Sequence, residues 1–285
     1  MWQSFNYKFN VILNLTVPIL IIIGGLGFTV HYNILSVLKG YILKIRAKRA
    51  GLFESPPVPL RMSLHSKIVL TTTLTLIILG IALFYAMEYN GALKDMPFGG
   101  RIMVSFFQSV TPRTAGFNTV DYSTLKSCTL FFTMMLMFIG ASPGSTGGGI
   151  KTATFAVLFL SIVSILRKQQ NVELRRKSIP PSNVNQAVVV TFLALAFVCL
   201  AILALSVVEE EKGLSFLQLA FETVSAFGTV GLSTGITGEL SSAAKLILII
   251  MMFIGRVGPL GLALALSGRI RLRNFDYPTE RVIIG

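Results

Sequence analysis

Acidic side chains are scarce in this 285-residue chain, where twelve Asp and Glu stand against twenty-five Lys and Arg. Histidine and cysteine are scarcer still, at two each. No carboxylate pair is spaced for general acid–base work, and no nucleophile has a base near it in sequence. Cys128 and Cys199 sit inside apolar runs without the spacing of a metal site, and are expected to be packed free thiols. His31 and His65 lie near the ends of apolar segments with no carboxylate beside them, a place for interfacial polar residues. Neither an enzyme nor a resident cofactor or metal is expected.

What fills the chain instead is apolar. Hydrophobic residues make up 53% and the mean hydropathy is +0.73, which points to a membrane. Ala187 to Val208 runs 22 residues without a charge, enough for a helix to cross a hydrocarbon layer ~30 Å thick. The net charge of +13 would suit a nucleic-acid surface if it were spread, but it is grouped. Seven Lys/Arg lie between Lys39 and Lys67, five between Arg167 and Lys177, and four between Arg269 and Arg281. These groups fall between or after the apolar segments, as positive-inside loops do. The partner is a membrane, not nucleic acid.

The most informative stretch is written twice. Ser109 to Thr119 (SVTPRTAGFNT) and Thr223 to Thr234 (TVSAFGTVGLST) both contain Thr-x-Gly-apolar-x-Thr, with Gly116 and Gly231 equivalent. Each glycine is followed, 24 residues on, by the glycine of a Met-Phe-Ile-Gly tetrad, Gly140 and Gly255. A polar Thr/Gly/Ser loop between a short apolar approach and a longer apolar exit cannot face lipid. Non-helical backbone at membrane depth is tolerated where it is buried in protein or lines a watery cavity. The pair therefore predicts two re-entrant pore loops whose carbonyls face an ion. Carbonyls suit a dehydrated K⁺ because they coordinate it without a fixed charge that would trap it.

In order along the chain, Val11 to Leu38 is expected to be a first span, with Gly24-Gly25-Leu26-Gly27 offering a close backbone approach. A basic linker with Pro56, Pro57 and Pro59 leads to a span over Ile68 to Met87. Ile102 to Val110 is too short to cross and suits a half-helix that dips in and stops at the first loop. An exit span starts over Leu130 to Gly140, breaks at Ala141 to Gly149, and resumes over Thr152 to Leu166. The plan then repeats: Ala187 to Val208 crosses, Leu214 to Val224 dips, and Leu246 to Ser267 exits. The expected fold class is an all-α membrane protein of tandem helix–pore loop–helix repeats, K⁺ channel-like, with re-entrant half-helices. Its expected units are 1–50 (an exit span and the start of the linker), 51–180 (a full repeat) and 181–285 (a second full repeat and a cytoplasmic tail). Five crossings with the basic segments inside put the N-terminus outside and the C-terminus in the cytoplasm. Ile23-Gly24 aligns with Ile139-Gly140 and Ile254-Gly255, yet 24 residues before Gly24 falls just off the chain. That predicts an N-terminally truncated sequence.

Taken together, TPRTAGFNT, GASPGSTGGGIK, FETVSAFGTVGLSTG and the terminal YPTERVIIG are similar to the KtrB-type membrane subunits of the Ktr/Trk/HKT potassium transporter superfamily. The resemblance covers nearly the whole chain. It implies four span–loop–span repeats about one pore, with Gly116 and Gly231 as the third and fourth filter glycines. The ion-binding residues it implies are Thr114, Ala115, Gly116 and Phe117 in one loop and Thr229, Val230, Gly231 and Leu232 in the other. It implies that Gly144, Ser145, Thr146, Gly147, Gly148 and Gly149 form an intramembrane gating loop closed by Lys151. Arg256 then matches an arginine that sets a barrier below the filter. The resemblance also implies K⁺ as the transported ion, Na⁺ as a coupling or activating ion, a plasma-membrane location, a homodimer, and a KtrA-like cytosolic nucleotide-binding ring.

Several alternatives are open to sequence. The glycine-rich break could be a passive kink, whereas a phosphate loop is out of register, because Ile150 separates Gly149 from Lys151-Thr152. Arg256 could repel K⁺, hold the glycine-rich loop closed, or be a buried partner for Glu222 or for loop carbonyls. Arg113 beside the filter is expected to anchor its loop to carbonyls, or to a carboxylate such as Asp121 or Glu222. As a whole the chain could be an inactive fragment, or a structural membrane partner that needs another chain to complete a pore.

Overall fold

The computed structural model describes residues 10–49, 59, 61–169, 171–174, 177–258 and 261. Backbone in hydrocarbon must satisfy its own hydrogen bonds, so the apolar runs become helices. In chain order they are α1 (Val11–Gly25), α2 (Phe28–Arg49), α3 (Leu64–Glu88), α4 (Phe98–Val110), α5 (Ser127–Phe138), α6 (Thr152–Leu166), α7 (Pro181–Val208), α8 (Phe216–Gly228) and α9 (Ser242–Val257). Between α6 and α7 a small antiparallel hairpin pairs β1 (Val172–Leu174) with β2 (Lys177–Ile179). It occupies the second basic segment, where the expected reading was a plain loop.

α3 and α7 are each long and apolar enough to cross a membrane alone. α5 and α6 are shorter apolar helices, the two halves of the expected broken exit. The described part of α9 ends at Val257, so the expected continuation to Ser267 lies outside the described residues, as do Pro56, Pro57 and the YPTERVIIG terminus. α4 and α8 are the two dipping half-helices, each 13 residues long. α4 starts four residues earlier than expected, after Pro97, while α8 runs four residues further, to Gly228.

The expected first span is not one helix. α1 and α2 meet at a bend of 94° around Leu26 and Gly27. Gly27 is left-handed (φ +79°), and a Cβ there would sit 2.4 Å from the Pro143 carbonyl oxygen. On either side of it, Ser142 N–H donates to Gly25 O (3.0 Å) and Phe28 N–H to Gly144 O (3.1 Å). The close approach foreseen at these glycines is real, and it is made by the glycine-rich break between α5 and α6. His31 Nε2 lies 2.8 Å from Ile23 O, bracing the bend from outside.

The core gathers around the half-helices. Phe84, Tyr122, Met137, Leu205, Phe221 and Phe227 are fully or nearly fully buried in one cluster. Phe138 stacks on Phe227, with ring centroids 5.7 Å apart. The opposite helix faces carry Leu74, Ile78, Phe192, Leu200, Leu203, Ile249 and Phe253, all exposed. Exposed apolar area so extensive is the mark of a surface that meets lipid or other protein. Cys128 and Cys199 lie on exposed faces too, which corrects the expectation of packed thiols. In lipid a thiol needs no interior site, since an apolar run has an outer face as well as an inner one.

Two glutamates at the ends of the long spans do a job that their sequence position did not suggest. Glu88 and Glu209 are buried, at 1% and 2% exposure, although each stands just after an apolar run. Glu88 accepts from the N–H of Lys126 (3.1 Å) and the hydroxyl of Thr129, at the start of α5. Glu209 accepts from the N–H of Ser241 (2.8 Å), at the start of α9. Each carboxylate thus clamps the end of a crossing helix to the exposed N–H groups that open the exit helix, where negative charge is favoured.

Hydrogen bonds from Lys212 and Ser241 hold the Glu209 carboxyl down at about 2, against an ordinary 4.5. A depressed carboxylate gives stability that is complete above its unfolded value and is lost as pH falls through the folded one. Between pH 4.5 and 2, the thermal midpoint of detergent-extracted protein should fall more steeply for wild type than for Glu209→Gln. Parallel curves would show that the clamp adds nothing in that window.

Candidate ion pathway

Each half-helix ends in a tight turn that reverses the backbone hand. After α4, Thr114 (φ +65°) and Gly116 (φ +73°) are left-handed; after α8, Thr229 (φ +52°) and Gly231 (φ +90°) are. The alternation is the same in both loops. Left-handed residues two apart swing the intervening peptide planes out of the helical pattern, freeing carbonyls from helix bonds. A non-glycine residue is seldom left-handed, so Thr114 and Thr229 are strained positions held by their surroundings. Ala115 N–H bonds Thr111 O (3.2 Å), the Thr111 hydroxyl donates to Phe117 O, and Val230 N–H returns to Ser225 O (2.9 Å).

The two loops meet. A Cβ on Gly116 would lie 2.4 Å from Val230 O and 3.3 Å from the Gly231 Cα. A Cβ on Gly231 would lie 3.7 Å from the Gly116 Cα. The duplicated glycines, 115 positions apart in sequence, therefore stand side by side. Around them Val230 and Leu232 are buried, Thr114, Ala115, Gly116 and Thr229 are half-buried, and Phe117 and Gly231 are exposed.

Beneath the loops lies the glycine-rich break. Ile139 and Ile150 form a parallel bridge at its neck, and Gly140 N–H donates to Ile150 O (2.9 Å). Its far end reaches the left-handed threonine of each loop. Gly148 N–H donates to Thr229 Oγ1 (3.1 Å), and a Cβ on Gly147 would come 2.7 Å from Thr114 Oγ1. Two cations hold it from within: Lys151 Nζ donates to Gly147 O and Arg256 to Thr146 O. Gly149 N–H is tied to Gly255 O at 3.2 Å. Gly144 and Ser145 turn the other way: Gly144 packs against the Phe28 ring and Ser145 bonds back to Ser142. Of the expected gating residues, then, Thr146 to Gly149 with Lys151 and Arg256 sit under the loops, and Gly144 and Ser145 anchor the break to the α1–α2 bend.

Arg113 is buried and donates to the Thr73 carbonyl of α3 (3.1 Å). The carbonyl anchor is the alternative that the structure favours. Asp121 accepts from Ser123 N–H, and Glu222 bonds its own loop. Buried polar residues brace the chain after each loop, and one of them, Gln108, was missed by sequence reading. Gln108 donates to Thr119 Oγ1 (3.2 Å) and accepts from the Tyr122 hydroxyl (2.5 Å). Their signal in sequence was slight, a single amide or carboxylate in an apolar half-helix.

The sequence matches the family described as TrkH, cation transport protein, over residues 3–271. The chain belongs to the TrkH family. It is 38% identical over 98% of its length to the Ktr system potassium uptake protein B of Bacillus subtilis. It is also 38% identical, over 97% of its length, to the potassium/sodium uptake protein NtpJ of Enterococcus hirae. The chain spans 58% of the length of each of these relatives. The crystal structure of the potassium transporter TrkH from Vibrio parahaemolyticus shares its fold, with a TM-score of 0.66 at 18% identity over 90% of this chain and 52% of that one. That family is the one whose superfamily the sequence motifs resembled, and it is described as one of cation transport proteins.

Proposed function

We propose that the chain forms part of a potassium-uptake pore in the plasma membrane, with the Gly116 and Gly231 loops as two walls of its selectivity filter. The observation that carries this is the contact between the two duplicated glycines, whose loops each hold two left-handed residues two positions apart. Half-helices α4 and α8 end at these loops, and helix C-termini favour a cation. Thr114 to Phe117 and Thr229 to Leu232 are the ion-lining residues. The glycine-rich break is the gate, with Gly147 and Gly148 below the filter threonines. Lys151 and Arg256 hold it in place, and their positive charge opposes a K⁺ leaving the filter inward.

The Ktr system name of a relative supports a component that works within a multi-subunit system, which we take to be a homodimer on a KtrA-like cytosolic nucleotide-binding ring, and the potassium/sodium name of another supports Na⁺ as a second ion. The basic segments place the C-terminus in the cytoplasm. The test is ⁸⁶Rb⁺ uptake by cells that lack their own K⁺ uptake and express the complete gene. Arg256→Gln removes a charge-assisted hydrogen bond of about 1.5–3 kcal/mol, so flux at rest should rise roughly tenfold. Unchanged flux at equal protein level would remove Arg256 from the gate.

A further inference from the structure

Glu222 is a charged residue on α8 for which the pore reading has no role, yet it is 95% buried by the chain around it, at 5% exposure. Its Oε1 accepts from the Ser233 hydroxyl (2.5 Å) and from Thr234 N–H (3.0 Å), and its Oε2 accepts from the Thr237 hydroxyl (2.8 Å). Ser233 Oγ also accepts from Gly235 N–H (2.9 Å) and lies 2.9 Å from Thr237 Oγ1. The whole stretch that follows Gly231 is thus tied to one carboxylate, two helical turns before the filter threonine.

The other loop is braced at the matching place by different chemistry. Thr119 and Thr234 each stand three residues after their filter glycine. Thr119 is held by the neutral amide of Gln108, Thr234 by the anion. Each of these groups donates to Glu222, and an amide in its place could keep the contacts only by turning the Thr237 hydroxyl from donor to acceptor.

A second observation concerns its charge. Among the described residues the one ion pair joins Lys212 to Glu209, and Glu222 has none. Its side chain lines a cavity of about 620 Å³ shared with Thr229, Val230 and Gly231. Acidic side chains at membrane depth pair with another charge or mark an ion path. Here the nearest loop to the unpaired anion is the filter itself.

We propose that Glu222 is the positioning and specificity-determining residue of the Gly231 loop: its two oxygens fix the return strand after the filter and so set how well that loop tells K⁺ from Na⁺. The proposal rests on the pore reading. It goes beyond it in assigning cation discrimination unequally, with the anion-braced loop more sensitive than the amide-braced one.

The experiment measures Rb⁺ and Na⁺ uptake side by side, per amount of protein in the membrane, in K⁺-uptake-deficient cells expressing the complete gene. Glu222→Gln should lower the Rb⁺/Na⁺ uptake ratio roughly tenfold, the loss of a hydrogen bond to a charged group. Thr237→Val removes one neutral donor from an exposed position and should lower it roughly threefold. If Glu222→Gln does not reach the membrane, Thr237→Val decides alone. Wild-type ratios for the variants that reach the membrane, beside a Gly116→Ala control that abolishes Rb⁺ uptake, would overturn the role of Glu222. A Gly116→Ala variant that transports Rb⁺ normally would instead overturn the pore reading beneath it.

Discussion

Alanine at Gly116 should abolish K⁺ uptake, and alanine at Gly231 should reduce it by only about tenfold. The two glycines are equivalent in sequence, so a motif-level account predicts equal losses. The structure separates them. At Gly116 the added Cβ would stand 2.4 Å from Val230 O, a backbone atom of the facing loop, and one of the two loops must move. At Gly231 the nearest atom would be 3.7 Å away, an ordinary contact. What remains there is the strain of a left-handed alanine, roughly 1–2 kcal/mol, or about tenfold. ⁸⁶Rb⁺ uptake per amount of membrane-inserted protein measures both. Equal losses, or a larger loss at Gly231, would show that the loops do not meet as described.

Gly255→Ala should fail as a folded protein. A Cβ there would fall 1.7 Å from the carbonyl oxygen of Phe227, in the last turn of α8. Its twin Gly140 would meet Gly148 O at 1.9 Å. These are backbone collisions in a packed core, where overpacking costs about 1–3 kcal/mol and occasionally more. Detergent-extracted Gly255→Ala should lose its monodisperse peak and its thermal transition. Gly24→Ala is the matched control, since nothing lies within 4 Å of a Cβ at Gly24. Wild-type behaviour of Gly255→Ala would mean that α9 does not cross α8 at this glycine.

The repeat was legible because its parts carry unusual residues at fixed offsets: a Thr-x-Gly loop, and then a tetrad glycine 24 positions on. The contacts of Gly140 and Gly255 explain that offset, since each marks where an exit helix meets backbone beneath a filter. Gly24 also follows an isoleucine but makes no such contact, because pattern alone does not say what lies opposite. The bend at Gly27 was illegible for a related reason. Val11 to Leu38 runs without an Asp, Glu, Lys or Arg to divide it, and the bend is imposed by Ser142, Pro143 and Gly144 from more than a hundred positions away. Glu88 and Glu209 stand just after apolar runs, with nothing local to mark them as buried. Their burial depends on the exit helices folding back over them, a tertiary event with no local signature. For the thiols, apolar surroundings in sequence did not separate core from lipid.

The shared filter is the claim on which the rest depends, and heavy alkali ions report on it most directly. Crystals of the complete protein grown in Rb⁺ should show anomalous density between the Gly116 and Gly231 loops, against the carbonyls of Ala115 and Val230. Density confined to other sites, with none between these two loops, would contradict the account.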